Sequence, residues 1–498
     1  MVRTFNRIVL GVLLVTVALP CQAKEYPYRW VYVSSSLRSD KDVAEIERIV
    51  QTGSEHGING MVLSAGLDHL DRQTPEFLAR LAKVRESCQT HGVEIIPNIF
   101  SAGYGGSVLG HDRNLAAGIP VKDAPFVVKS GEASLISDRP VRVSNGGFEQ
   151  YEGNRVTGYR FNDRPGEVSF VDSTVFHSGK ASLRFENFGK FEHGHARLMQ
   201  EVEVQPQRCY KLSCWVKTDA LAPRDAFRIQ VLSPKGRDLA PYDPGVPFTT
   251  DWRQVVMGFN SLDQSKVNLY AGVWGGKAGR FWMDDLEIEE VGLLNVLRRP
   301  GTPVTVRSET TGDLYEEGKD FAPIKDERLN FRFDHEPPKI KLLPGGRIKE
   351  GERLRVSYYH GMGVNRGQVT VCMSEPEVYK IWEGEAELMH KYLAPSKYLL
   401  SMDEIRAGGA CQACKQRNLS MAQILGDCIT RQAKILRQAN PEAEVLIWSD
   451  MLDPNHNARG WLDVLDQTPQ AVGIMYTTWQ NKYTLLAPFG DLVRDRSK

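Results

Sequence analysis

Asp403 and Glu404 stand side by side at the end of an apolar run, YLLSMDEI (398–405), in a chain of 498 residues. Two carboxyls at such a place fit general acid–base work: one protonates a leaving oxygen while the other steadies the positive centre that develops. The next apolar run, EVLIWSDM, ends in Trp448 and Asp450, and the one after it, AVGIMYTTW, in Tyr476 and Trp479. Acids and aromatic rings at neighbouring strand ends suit a sugar, whose hydroxyls need polar partners and whose ring faces stack on indoles. His360 and His456 each lie near the end of a strand and are candidates for sugar hydroxyls, while Arg406, a further candidate for substrate binding, is placed to pair with one of the acids or with a backbone carbonyl. Taken alone, an Asp-Glu pair is a solvated strand end; its position after a buried strand is what points to catalysis.

Other chemistries compete for the same stretch. Cys411-x-x-Cys414 is half a zinc pattern with Cys428 as a third ligand and no His at the usual spacing, and a disulfide is the other reading. Glu375 in SEPEV precedes a helical pattern and suits that helix's N-terminus. No Gly-x-Gly-x-x-Gly or P-loop pattern opens a helix, so no nucleotide cofactor is expected and none is required for catalysis.

The elements that must position these residues alternate. YRWVYVSS, INGMVLSAG and VEIIPNIF read as strands, separated by helical stretches such as DVAEIERIVQTGSEHG, whose Val43, Ile46, Ile49 and Val50 share one face. After a long interruption the rhythm resumes with RLRVSYYH (353–360), a helix through 375–393, YLLSMDEI, a helix near 418–439, EVLIWSDM and AVGIMYTTW. Seven strands in βα units predict an α/β fold of the TIM-type (β/α)8 kind, with catalytic groups at the C-terminal strand ends. Either an eighth strand lies in the interruption or the barrel is incomplete at its C-terminus; an open doubly wound sheet is the alternative.

The interruption has another grammar. Between 141 and 291 the runs are short, alternating and broken by Gly, Pro, Asn and Asp, which predicts an inserted antiparallel β-sandwich able to fold alone. Residues 292–350 read as a small β extension or linker, so the domains are expected at 24–140 (first part of the barrel), 141–291 (sandwich), 292–350, and 351–498 (second part). In NLYAGVWGG, Tyr270 and Trp274 read as a stacking surface or as core.

Five stretches in order, NGGFEQ (145–150), SGKASLRFE (178–186), YKLSCWVKTD (210–219), DWRQV (251–255) and FWMDDLEIEEV (281–291), resemble the jelly-roll carbohydrate-binding modules of families 4, 9, 16 and 22. That resemblance implies glycan binding and a structural calcium with Glu149 and Asp285 among its ligands. The order of strand, Asp-Glu, then Trp-x-Asp resembles the catalytic barrel of glycoside hydrolase family 20, although Tyr398–Met402 replace the His-x-Gly-Gly of that family. This second resemblance implies a β-N-acetylhexosaminidase-like enzyme: Glu404 the proton donor, Asp403 orienting a 2-acetamido group, Asp450 on sugar hydroxyls, and Trp448, Tyr476 and Trp479 as walls.

The balance of 62 basic and 62 acidic residues suggests neither nucleic acid nor an anionic membrane as partner. A basic start, the run IVLGVLLVTVALP and Cys-Gln-Ala before Lys24 read as a secretory signal covering 1–23, with no membrane span in the mature chain and a secreted or periplasmic location. The expected function is a secreted glycoside hydrolase acting on a polysaccharide or oligosaccharide. The alternatives are a non-catalytic glycan-binding protein with a degenerate barrel, or an adhesion or scaffold protein.

Overall fold

The computed structural model describes residues 27–363, 367–402, 405 and 407–448, together with the backbone of two later strands, Val472–Thr477 and Thr484–Pro488. The signal-like segment lies outside the described residues.

The chain opens with β1 (Trp30–Ser34), α1 (Asp40–Glu55), β2 (Gly60–Ser64), α2 (Pro75–Thr90), β3 (Glu94–Ile99) and the short α3 (Gly106–His111). Local chemistry sets the helix starts: Ser39 and Asp42 form a reciprocal capping box on α1, and Thr74 caps α2 with Pro75 just inside it. The chain then leaves this layer through the hairpin β4 (Ile119–Lys129) and β5 (Glu132–Leu135).

A β-sandwich follows. After the small hairpin β6 (Tyr151–Glu152) and β7 (Arg155–Val156) come β8 (Phe161–Asn162), β9 (Ser169–Asp172), β10 (Ser182–Phe185), β11 (Ala196–Glu203) and β12 (Cys209–Ala222). They are joined by β13 (Phe227–Leu232), β14 (Asp238–Tyr242), β15 (Thr250–Asn260), β16 (Lys266–Val273) and β17 (Ala278–Glu290). Two five-stranded antiparallel sheets result, in the orders β15-β12-β17-β10-β9 and β14-β13-β16-β11-β8. Strict alternation builds the interior: in β13, Phe227, Ile229 and Val231 are buried while Arg228, Gln230 and Leu232 are half-buried. Phe227 and Phe281 stack across it at 4.5 Å.

Next come β18 (Thr305–Ser308), β19 (Leu314–Tyr315), β20 (Ile340–Lys341) and β21 (Arg353–His360), which form a six-stranded sheet in the order β19-β18-β21-β4-β5-β20. The run RLRVSYYH is therefore not a strand of the parallel layer: β21 pairs antiparallel with β4. Its core is continuous with that of the sandwich, in which Phe126, Val356 and Tyr358 join Leu212, Phe259 and Ile288. The ring of Phe333 lies against Gly258, where any Cβ would come within 2.0 Å of it.

The chain finally returns through α4 (Pro376–Leu393), β22 (Lys397–Leu400), α5 (Gln412–Gln416), α6 (Met421–Ala439), β23 (Glu444–Trp448), β24 (Val472–Thr477) and β25 (Thr484–Pro488). One seven-stranded sheet runs β1-β2-β3-β22-β23-β24-β25, parallel as far as β24 and antiparallel at β25. The strands follow in sequence order, so right-handed crossovers place successive helices on one side. The buried residues of α1, α2, α4 and α6 accordingly fall in one core with Met61, Ile95, Leu400 and Val445. A complete eight-stranded barrel is not supported, because among the described residues β1 and β25 remain the two edges of an open sheet. No described helix is long and apolar enough to cross a membrane.

Candidate functional site

Alternation along the parallel strands sorts side chains between two faces. One face packs on the helices; the other carries a small separate cluster of Val62, Ile96, Leu399 and Leu446 with Trp30 and Trp448 against it. Gly60 makes room there, since a Cβ on it would meet the Trp30 indole at 2.4 Å. Two residues further along each strand, on that same face, stand Tyr32, Ser64, Asn98, Ser401 and Trp448. All of them line a cleft of about 400 Å³ at the C-terminal ends of the strands.

Parallel sheets place ligands at this end, where loops rather than strands supply the rim. Trp448 and Tyr32 meet edge to face at 5.9 Å and make an aromatic wall. Opposite polar groups come from the β2 loop, where Asp68 Oδ1 lies 3.5 Å from His69 Nδ1. Gly66, in the left-handed region at φ 66°, lets the chain turn there, and a Cβ on it would meet the His69 ring at 2.8 Å. Asn98 Oδ1 and Ser107 Oγ face the cleft buried and without a hydrogen-bond partner among the described residues. Such orphans cost roughly 1–3 kcal/mol each unless a ligand or water satisfies them.

Behind the cleft lies a buried acid. Glu385 of α4 accepts the Leu70 backbone N–H at 2.6 Å, and His111 Nε2 lies 2.9 Å from Asp71 Oδ2 and 3.9 Å from Glu385 Oε1. Burial first, and a hydrogen bond with Asp71 second, push the Glu385 carboxyl up to about 8, so the shared proton sits on Glu385. This group holds the loop that carries Asp68 and His69.

Of the residues singled out from the sequence, Trp448 lines the cleft. Asp403, Glu404, Arg406, Asp450, His456 and Trp479 lie outside the described residues, and Tyr476 is described only as backbone, paired with Leu485. His360 is corrected: it is fully buried between β21 and the sandwich, with Nε2 3.1 Å from Asn260 Nδ2 and Nδ1 3.8 Å from Cys209 Sγ. Burial drives its pKa down to about 4, the state of a neutral core imidazole. Glu375 does sit at the N-cap of α4, but its side chain makes no cap bond and accepts from Arg299 Nε at 2.7 Å instead. Cys428 is corrected as a partner of Cys411 and Cys414; the sulfur that joins them is that of Cys372. Tyr32, Asp68, His69 and Asn98 were missed, and the signal that finds them is their place on the inner face of, or in the loop after, a parallel strand.

On the sandwich, neither Tyr270 nor Trp274 belongs to the core. Tyr270 lies beside Met199 on β11 and Gln230 on β13, and Phe161 pairs with Met199 on the other side. Arg197 spans the Phe161 and Trp274 rings at 5.5 and 5.8 Å. The face thus offers rings beside amide and guanidinium donors, the kit for a sugar chain. Glu149 and Asp285 flank Gly147, each 3.8 Å from where its Cβ would be. Glu149 Oε1 accepts the Lys180 amide at 2.8 Å, and Asp285 accepts from Ser178 Oγ and His177 Nδ1, both at 2.7 Å. The donor set fits a hard cation in its oxygens, with the Ser178 hydroxyl able to turn a lone pair toward the ion.

Comparisons with known proteins speak to the sandwich. No curated protein matches the chain. Among solved structures, a module titled "CBM4 structure and function" is 13% identical, covers 30% of this chain and 99% of its own, and has a TM-score of 0.21. A family 61 module in complex with β-1,4-galactotriose is 17% identical, with coverages of 30% and 96% and a TM-score of 0.23. The K1 cleaved adhesin domain of Lys-gingipain from Porphyromonas gingivalis W83 is 13% identical, with coverages of 30% and 99% and a TM-score of 0.22. None of these comparisons brings support for a family 20 barrel. Residues 142–277 match the family model described as "Carbohydrate binding domain", and this part of the chain is a carbohydrate-binding domain of the family 4/9 type.

Proposed function

We propose that the protein is an exported glycoside hydrolase whose sandwich holds a polysaccharide while the cleft at the mouth of the parallel sheet cuts it. The observation that carries this reading is the inner-face layer of Tyr32, Asn98, Ser401 and Trp448, in which aromatic rings and an unsatisfied amide oxygen line one cleft. Asp403 and Glu404 are the second and third residues after Ser401 in the chain, and Asp450 is the second after Trp448. In this reading Glu404 protonates the departing oxygen and Asp403, ionised, steadies the positive centre or the 2-acetamido group that attacks it. With a substrate that lacks that group, Asp450 is the base or nucleophile. Arg406, His456, Tyr476 and Trp479 complete the pocket, and Glu149 with Asp285 hold a structural calcium. A second reading, glycan binding without cleavage, rests on the carbohydrate-binding domain alone.

The test is the full-length protein on a panel of polysaccharides, read by affinity electrophoresis and by release of reducing ends. Retardation and release on one polysaccharide support the proposal. Retardation without release on any member favours the second reading, and neither response refutes both.

A further inference from the structure

Three cysteines far apart in sequence bring their sulfurs to one point. Cys372 Sγ lies 3.5 Å from Cys411 Sγ and 3.7 Å from Cys414 Sγ, and the last two are 3.5 Å apart. All three are buried, none is bonded to another, and the surrounding side chains include Val371, Met373, Met421 and Ile424. A disulfide needs two sulfurs and gives the third no reason to converge. Thiolates on a tetrahedral zinc, with Zn–S of about 2.3 Å, stand about 3.8 Å apart. The observed triangle has that size.

The surroundings carry a second sign. Arg299 is 5% exposed at its side chain, and its Nη2 has no hydrogen-bond partner among the described residues. Its guanidinium lies within electrostatic reach of both Cys372 and Cys411. Three thiolates on a divalent ion leave a net negative charge, and a buried cation with an unused N–H beside it can donate to a sulfur as an outer-shell group. The Glu375 carboxylate on Arg299 Nε fixes the orientation of that fork.

We propose that Cys372, Cys411 and Cys414 form a zinc(II) site, with the fourth place taken by water. The site joins the segment that leads into α4 to the start of α5. It is independent of the glycan reading, since it rests on the sulfur triangle and the buried Arg299 beside it.

Metal analysis and thiol titration of the purified full-length protein test this, together with cobalt(II) titration of the reduced protein. The expected result is one zinc per chain, thiolate-to-cobalt charge transfer with tetrahedral visible bands, and a drop to below about a tenth of a zinc in Cys372→Ser and Cys411→Ser. Cys428→Ser and Cys88→Ser should keep the metal. A folded, reduced protein that takes up neither zinc nor cobalt overturns the proposal, as does a native disulfide between any two of the three. Should Cys372→Ser not fold, the cobalt spectrum of the unaltered protein decides alone.

Discussion

Glu385→Gln is the substitution whose effect follows most directly from the geometry behind the cleft. The carboxyl is 2% exposed, accepts the Leu70 N–H, and shares a proton with Asp71, with His111 and Arg72 as the charged groups facing that pair. Its folded pKa is raised from 4.5 to about 8, so between these values the native state binds more protons than the unfolded chain. The contribution is therefore fully present below pH 4.5, falls as pH rises, and is gone above about 8. At 1.36 kcal/mol per pKa unit the raise corresponds to roughly 5 kcal/mol at most. Asp71, lowered in the same pair, has its contribution fully present above the ordinary carboxylate range and so does not change it between pH 5 and pH 8.5. A glutamine mimics the protonated acid: its carbonyl accepts the Leu70 N–H and its amide donates to Asp71. Thermal melts at pH 5 and pH 8.5 should show the variant about equal to the unaltered protein at the lower pH and several degrees higher at the upper. Parallel pH profiles for the two proteins would refute the buried shared proton.

Other substitutions separate the two proposed glycan surfaces. Trp448→Ala should lower turnover on a bound polysaccharide by about tenfold or more while leaving affinity electrophoresis unchanged. Tyr270→Ala, on the sandwich face, should do the reverse, with retardation lost and hydrolysis of a soluble short substrate kept. Chelation by EGTA should lower the melting temperature by a few degrees, with recovery on adding calcium and no response in Glu149→Ala; an unchanged melt would remove the calcium. The isolated segment 141–291 should be less stable than the intact chain, because the core of the sandwich runs on into that of β4 and β21; equal melting would refute a shared core.

The sequence was most legible where periodicity has one meaning. Three strands before the interruption and three after it join the parallel layer as read, and the runs MVL, YLL and VLI, buried throughout, are what mark β2, β22 and β23. RLRVSYYH was misassigned although its own pattern differs: Leu354, Val356, Tyr358 and His360 are buried, and the residues between them are not. That alternation belongs to an antiparallel sheet with one face covered, and it also decides that His360 points into the core. Cys372 was invisible as a partner of Cys411 because 39 residues separate them and no spacing rule links a pre-helix segment to a loop after another strand. Cys428 was nearer in sequence, yet it lies fully buried on α6. Asp68, His69 and Asn98 were passed over because each is unremarkable locally; they become a site only when the fold brings them with Ser64 and Ser401 to one cleft.

The most direct test of the proposed cleavage compares Glu404→Gln with the unaltered protein on two substrates: a polysaccharide from which the unaltered protein releases reducing ends and an aryl glycoside of the same sugar with an activated leaving group. If Glu404 is the general acid, the variant loses about a thousandfold or more in turnover on the polysaccharide and about tenfold or less on the activated glycoside, which needs little protonation. Near-unaltered rates on both substrates would contradict the account and leave Asp403 and Glu404 as no more than the end of a strand.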